Sequence, residues 1–212
     1  MENDERAERA LHRAFESNKR SQLIAKRYAI VLKARGKLPE AREVLRQALE
    51  HNPSGQDLNF DFAELLRALD PSVDSTNSEM LLSYYQRSFT KGDKNYRAQL
   101  LCARQLTLAG RHQDARPLYD HLKNAAVPFA IKSQVKEDVR HENGELRRFN
   151  GTISSRRESF GFVTLDAQGI GCYFNAQSMR SAVDLPQLGK RVALTLGFSF
   201  FGPSARDMEV LD

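Results

Sequence analysis

Cysteine is scarce in this 212-residue chain. There are two, Cys102 and Cys172, each inside an apolar run. That excludes a disulfide scaffold and reads as two buried, reduced thiols. Long hydrophobic runs are missing as well. No stretch approaches the roughly 18 to 20 apolar residues that a membrane helix needs. The opening Met1-Glu2-Asn3-Asp4-Glu5-Arg6 lacks the apolar segment of a secretory signal. These absences lead us to expect a soluble, cytoplasmic protein with no membrane partner. Metal-ligand spacing is lacking too: His12, His51, His112, His121 and His141 are scattered on polar ground, and no His/Cys/Asp grouping matches a zinc site. There is no phosphate-cradling glycine loop and no nucleophile elbow. No enzyme activity, metal, cofactor or small-molecule substrate is therefore expected.

Charge is not concentrated. The net charge of +5 is compatible with nucleic acid without being diagnostic. Residues 147–212 carry eight Lys/Arg against six Asp/Glu, so neither half is a polybasic tail. Any nucleic-acid binding must then rely on stacking as well as phosphate contacts.

What is present falls into two kinds of pattern. The first, up to about residue 145, is helical. Residues 5–18 place Ala7, Ala10, Leu11, Ala14 and Phe15 at helical spacing. Ser21 to Pro53 reads as helix, turn at Gly36, and second helix stopped by Asn52-Pro53. Tyr96 to Pro128 repeats the arrangement around Gly110, 74 residues on, which is two units of 37. An intermediate unit is expected between them, with helices over Phe62–Leu69 and Met80–Phe89, Leu81, Tyr85 and Ser88 on its inner face, and an irregular loop over residues 70–77. A last amphipathic helix is expected over Phe129–Val139, burying Phe129, Ile131, Val135 and Val139. His141-Glu142-Asn143-Gly144 then reads as a stop and turn.

These helices resemble tetratricopeptide repeats. The match lies on Tyr28, Ala29, Leu32, Gly36, Ala41, Leu45, Ala48 and Pro53 in the first unit. In the last it lies on Cys102, Ala103, Leu106, Gly110, Ala115 and Tyr119. The resemblance implies a surface that binds a protein partner. Lys26 and Lys33, on the first helix of a pair, are the candidate partner-binding residues, and a peptide or acidic partner is the expected occupant.

From Leu146 the periodicity changes to alternation. Strands are expected over Arg148–Ser155, Ser159–Leu165, Gly171–Asn175, Arg191–Phe198 and Ala205–Leu211, with Asp166-Ala167-Gln168-Gly169 as a turn. Five strands in about 65 residues fit a small barrel of the oligonucleotide-binding type. The expected architecture is multidomain α plus β. A helical hairpin repeat array over 1–144 is followed by a five-stranded antiparallel barrel over 145–212.

Within the second part, Gly151-Thr152-Ile153, Ser159-Phe160-Gly161-Phe162-Val163, Tyr173-Phe174-Asn175, Leu188-Gly189-Lys190-Arg191-Val192 and Gly202-Pro203-Ser204-Ala205-Arg206 resemble successive motifs of the cold-shock domain. The resemblance covers about residues 147–212. It implies binding of RNA or single-stranded DNA. Phe160, Phe162 and Tyr173 would stack bases, Asn175 would face a base, and Arg156, Arg157 and Lys190 would hold phosphates. Phe200 and Phe201, with Phe198, would form an exposed contact surface beside the last strand. The family usually has an aromatic where Ser155 stands, Lys-Gly where Glu158-Ser159 stand and His where Asn175 stands, which implies weaker binding here. Two functions follow. One is a non-enzymatic nucleic-acid-binding adaptor whose repeats hold a protein partner. The other is a pure protein-interaction module, part of a larger protein, whose barrel has lost nucleic-acid binding.

Overall fold

The computed structural model describes residues 2–70, 79–141, 143–167, 169–181 and 184–211. Residues 71–77 of the loop expected over 70–77, together with Glu142 and Gln168, lie outside them. Helices lead and strands follow, and the chain forms two compact units that divide at Ala98/Gln99.

The first unit holds five described helices: α1 (Glu2–Ser17), α2 (Gln22–Ala34), α3 (Leu38–His51), α4 (Gln56–Leu69) and α5 (Glu79–Gln86). Ser21 starts α2 by accepting a hydrogen bond from the Ile24 N–H, filling one of the orphan donors of a helix N-terminus. Gly36 sits at φ +73°, a left-handed conformation that costs glycine nothing, and so ends α2 and turns the chain into α3. Tyr28, Ala29 and Leu32 of α2 then meet Ala41, Leu45 and Ala48 of α3 in one core, which Phe15 of α1 and Leu58, Phe62 and Leu65 of α4 complete. Small residues at Ala29, Ala41 and Ala48 let the helix backbones approach. Leu81 and Tyr85 are buried on α5, and Ser88 beyond it is buried as well. Ala7 and Ala10, at helical spacing in the sequence, are exposed on α1.

The second unit begins inside α6 (Tyr96–Leu108) and continues through α7 (His112–Asn124), which follows Gly110 at φ +73°. Next come α8 (Phe129–Gln134) and strands β1 (Glu137–Asp138), β2 (Arg148–Arg156), β3 (Phe160–Leu165), β4 (Gly171–Asn175), β5 (Arg191–Ser199) and β6 (Gly202–Val210). The sheet runs β1-β5-β2-β3-β4-β6 and closes through β5–β6 pairing, making a five-stranded barrel with β1 as an extra strand on β5. Closure leaves no open edge among the five. The barrel is mixed, which corrects the purely antiparallel expectation. β4 and β6 run parallel, with Tyr173 opposite Ser204, because β6 reaches β4 from the far side of the β5–β6 hairpin.

Inward residues fill the barrel: Val139, Phe149, Ile153, Val163, Leu165, Cys172, Phe174, Leu194, Leu196, Phe198 and Met208 are all buried in one cluster. Leu108 of α6 and Tyr119 of α7 pack against that cluster, so the last helical pair and the barrel share a core. Burial pushes the Cys102 and Cys172 thiols up to about 12, so both are inert structural groups at neutral pH.

The segment after Pro128 differs from the helix expected there. α8 ends at Gln134, and Glu137 and Asp138 pair with Phe198 and Gly197 of β5. Val139 is indeed buried, but in the barrel. Phe129 and Ile131 are exposed and Val135 is only half-buried. The short helix is held by Lys132, whose buried ammonium donates to the Lys123 carbonyl at 2.6 Å, capping the C-terminus of α7 where a cation is favoured.

Candidate nucleic-acid interface

β3 carries the sequence Phe160-Gly161-Phe162. Alternation sends both rings to the outer face and Gly161 inward. The glycine is required there. A Cβ at Gly161 would lie 2.5 Å from the Ser155 carbonyl oxygen and 2.6 Å from the Phe174 ring, contacts no real side chain makes. So the glycine lets a core ring sit directly beneath the two surface rings.

Registry brings the third ring in. Phe162 pairs with Tyr173 on β4, and Phe160 pairs with Asn175. The three rings form one cluster: Phe160 stacks on Tyr173 at 5.8 Å and 29°, while Phe162 stands edge-on to Phe160 and Tyr173 at 6.3 and 6.0 Å. Phe162 and Tyr173 are each 40% exposed. A bulge between Ile153 and Ser155 sets Ser155 opposite Phe162. One row across four strands therefore reads Ser155, Phe162, Tyr173, Ser204. Two small hydroxyls flank two rings, and the position expected to lack an aromatic is the outer neighbour of Phe162.

Arg156 and Arg157 are exposed at the β2–β3 hairpin, where the Arg157 N–H donates to the Phe160 carbonyl. Lys190 is exposed in the turn before β5, with its backbone tied to Ile153 and Gln187. Arg156 and Arg157 follow Ser155 along the chain, and the Lys190 carbonyl accepts from the Ile153 N–H, so all three cations lie on or beside the C-terminal half of β2. Glu158, also exposed, sits in the same hairpin as the arginines. Such a face can stack flat, unsaturated groups and attract anions beside them.

Two expected site residues are placed otherwise. Phe200 is only 6% exposed, turned into the protein at the β5–β6 hairpin, and Phe198 is a core residue, so of the three rings there only Phe201 faces outward. Asn175 is half-buried and works as a cap. Its side chain accepts from the Ser178 backbone, and the Ser178 hydroxyl bonds back to the Asn175 N–H at 3.2 Å, starting a short 3-10 turn over Ala176–Ser178.

The helical unit treats its charges differently. Lys26 of α2 is ion-paired to Asp57 of α4 and lies 3.9 Å from Asp61. Burial raises the Asp61 carboxyl, and Lys26 and Lys33 pull it back. Lys33 is exposed. A cavity of about 380 Å³ borders this pair, lined by Lys26, Asp57, Phe60, Asp61, Asp93 and Lys94, so acids outnumber bases on its wall.

One buried charge was invisible to sequence reading. Arg104 of α6 has no exposed surface; its guanidinium lies 5.5 Å over the Phe198 ring and donates to the Asp138 carbonyl at 3.3 Å. Arg206 donates to the Asp138 carboxylate at 2.6 Å. Its guanidinium lies where a Cβ on Gly197 would fall. An arginine mid-helix reads as surface by default, and its burial here follows from tertiary contacts such as those with the Phe198 ring and the β1 backbone. Among the described residues no helix is long and apolar enough to cross a membrane. No family model matches the chain, and no curated protein is similar to it in sequence.

Proposed function

We propose that this chain is a non-enzymatic adaptor that binds single-stranded nucleic acid, RNA in the first instance, on the outer face of β2, β3 and β4, while its helical hairpins hold a protein partner. The observation that carries the reading is the surface cluster of half-buried Phe160 with exposed Phe162 and Tyr173, and the exposed Arg156, Arg157 and Lys190 on the neighbouring segments support it. The cold-shock resemblance of the same residues supports it, as does the strand order of an oligonucleotide-binding barrel. The tetratricopeptide reading of the helices rests on Gly36 and Gly110 at matching turns and on the small residues between paired helices. A reducing, cytoplasmic setting suits the two inert thiols.

Base stacking on an aromatic contributes about 1 to 3 kcal/mol per base. With Ser155 in the row and Asn175 committed to its cap, two or three stacked bases are expected, and hence modest affinity. Fluorescence anisotropy with a labelled single-stranded oligonucleotide tests this. Phe160→Ala with Phe162→Ala should weaken binding about thirtyfold or more, taking about 1 kcal/mol from each ring. Unchanged affinity would remove the stacking mechanism and leave the barrel as a protein-contact module.

A further inference from the structure

The ring cluster does not end at Tyr173. Gly171 lies two residues earlier on β4, so it faces the same way, about 7 Å along the strand. No atom lies within 4 Å of where its Cβ would be, so the face stays open there. Beyond it lies a cleft of about 260 Å³ between the barrel and α7, lined by Gly171, Phe201, His112, Arg116 and Tyr119 among others. Tyr119 forms a half-buried floor, its hydroxyl 3.2 Å from that of Thr107. Phe201 is 46% exposed on the wall, and Phe129 of α8 stands 5.6 Å from it, itself 73% exposed. Arg116 extends from α7 with its side chain 84% exposed, and its contact to Asp120 is a loose 3.9 Å. Two exposed rings and a solvated guanidinium thus repeat, across Gly171, the chemistry of the first ring cluster.

We infer that a bound single strand continues past Tyr173 over Gly171 into this cleft, where Phe201 stacks a further base and Arg116 holds its phosphate. The inference rests on the proposed binding to β2–β4, because continuity with that face is what selects nucleic acid as the occupant. α7 would then act as part of the binding surface, and the footprint would exceed the barrel alone.

The test uses the full chain and two oligonucleotides, one of about four nucleotides and one of about ten, within the range of site sizes for such barrels. Gly171→Ile places a β-branched side chain, favoured in strands, into open space, so it blocks the path without strain. It should weaken the ten-mer about tenfold and leave the four-mer unchanged. Arg116→Ala, on an exposed side chain, should reduce the slope of log affinity against log salt for the ten-mer by about 0.7, the value of one phosphate contact on a single strand. If the ten-mer is indifferent to both substitutions while the four-mer still depends on Phe160 and Phe162, the cleft is not used and the inference falls alone. If neither oligonucleotide binds the native chain, the underlying function falls and takes the inference with it. If the ten-mer depends on Gly171 and Arg116 but not on Phe160 and Phe162, the cleft stands and the ring-cluster reading falls.

Discussion

The two compact units handle exposed functional groups in opposite ways. In the helical unit several cations are already answered, Lys26 by Asp57 and Asp61, Arg35 and Lys37 by Glu8, Arg97 by Glu64, while Lys33 is exposed. On the barrel face, Phe162 and Tyr173 are exposed with half-buried Phe160 beside them, and Arg156, Arg157 and Lys190 are exposed on the neighbouring segments. A ligand arriving at α2 and α4 must displace an ion pair before it gains one, whereas a strand arriving at β3 and β4 covers apolar surface at once. Internal pairing favours shape and register over affinity; unpaired rings favour affinity for anything flat. That difference is why we propose nucleic-acid binding for the barrel rather than for the helices.

The largest expected effect tests inside against outside on one strand. Phe174 and Tyr173 are adjacent on β4, the first in the core and the second on the surface. Phe174→Ala should cost about 3 to 5 kcal/mol in urea unfolding. Tyr173→Ala should cost about 0.5 kcal/mol or less while weakening oligonucleotide binding. Equal stability losses would mean the Tyr173 ring is structural. A smaller effect separates two glycines. Gly161→Ala should destabilise the barrel by about 1 to 3 kcal/mol through overpacking against Phe174, while Gly171→Ala should stay within about 0.5 kcal/mol. On the helical side, Lys26→Ala breaks a part-exposed ion pair and should shift stability by under about 1 kcal/mol. Its affinity for an oligonucleotide should match the native chain's; a loss there would blur the division between the units.

The smallest effect is a pH dependence. The Arg180 hydrogen bond, helped by Arg148, holds the Asp207 carboxyl below its ordinary value of 3.8. A depressed acid contributes stability that is present above the unfolded value and is lost as pH falls through the folded one. Asp207→Asn, which keeps a residue tolerant of the φ of +47° found there, should flatten the fall in stability below about pH 4 relative to the native chain.

The sequence made most of the barrel legible because its strands are short, alternate cleanly and are punctuated by turn residues. The registers that depend on distant chain were not legible. Val135 to Val139 has helical spacing, yet pairing with β5 claims Glu137 and Asp138, and Val139 completes a core that reaches as far along the chain as Met208 of β6. The β6 strand starts at Gly202 rather than Ala205, because hairpin pairing of Pro203 with Phe198 carries it back to the turn. The same hairpin decides which phenylalanine faces water: three rings in four residues read alike, but Phe198 and Phe200 turn in and Phe201 turns out. Of the site, the shared face of Phe160 and Phe162 was readable from alternation, and Tyr173 from a second β-prone run and the cold-shock resemblance. The Asn175 cap and the cleft beside α7 were not, since each requires knowing what the chain folds against.

The most direct measurement is a chemical-shift titration of the isotope-labelled full chain with a single-stranded oligonucleotide of about ten nucleotides. The account predicts that amides of Phe160–Leu165, Gly171–Asn175 and the first turns of α7 move in a saturable way while those of α1 to α5 stay fixed. Shifts confined to α2 and α4, with β3 and β4 unmoved, would contradict it.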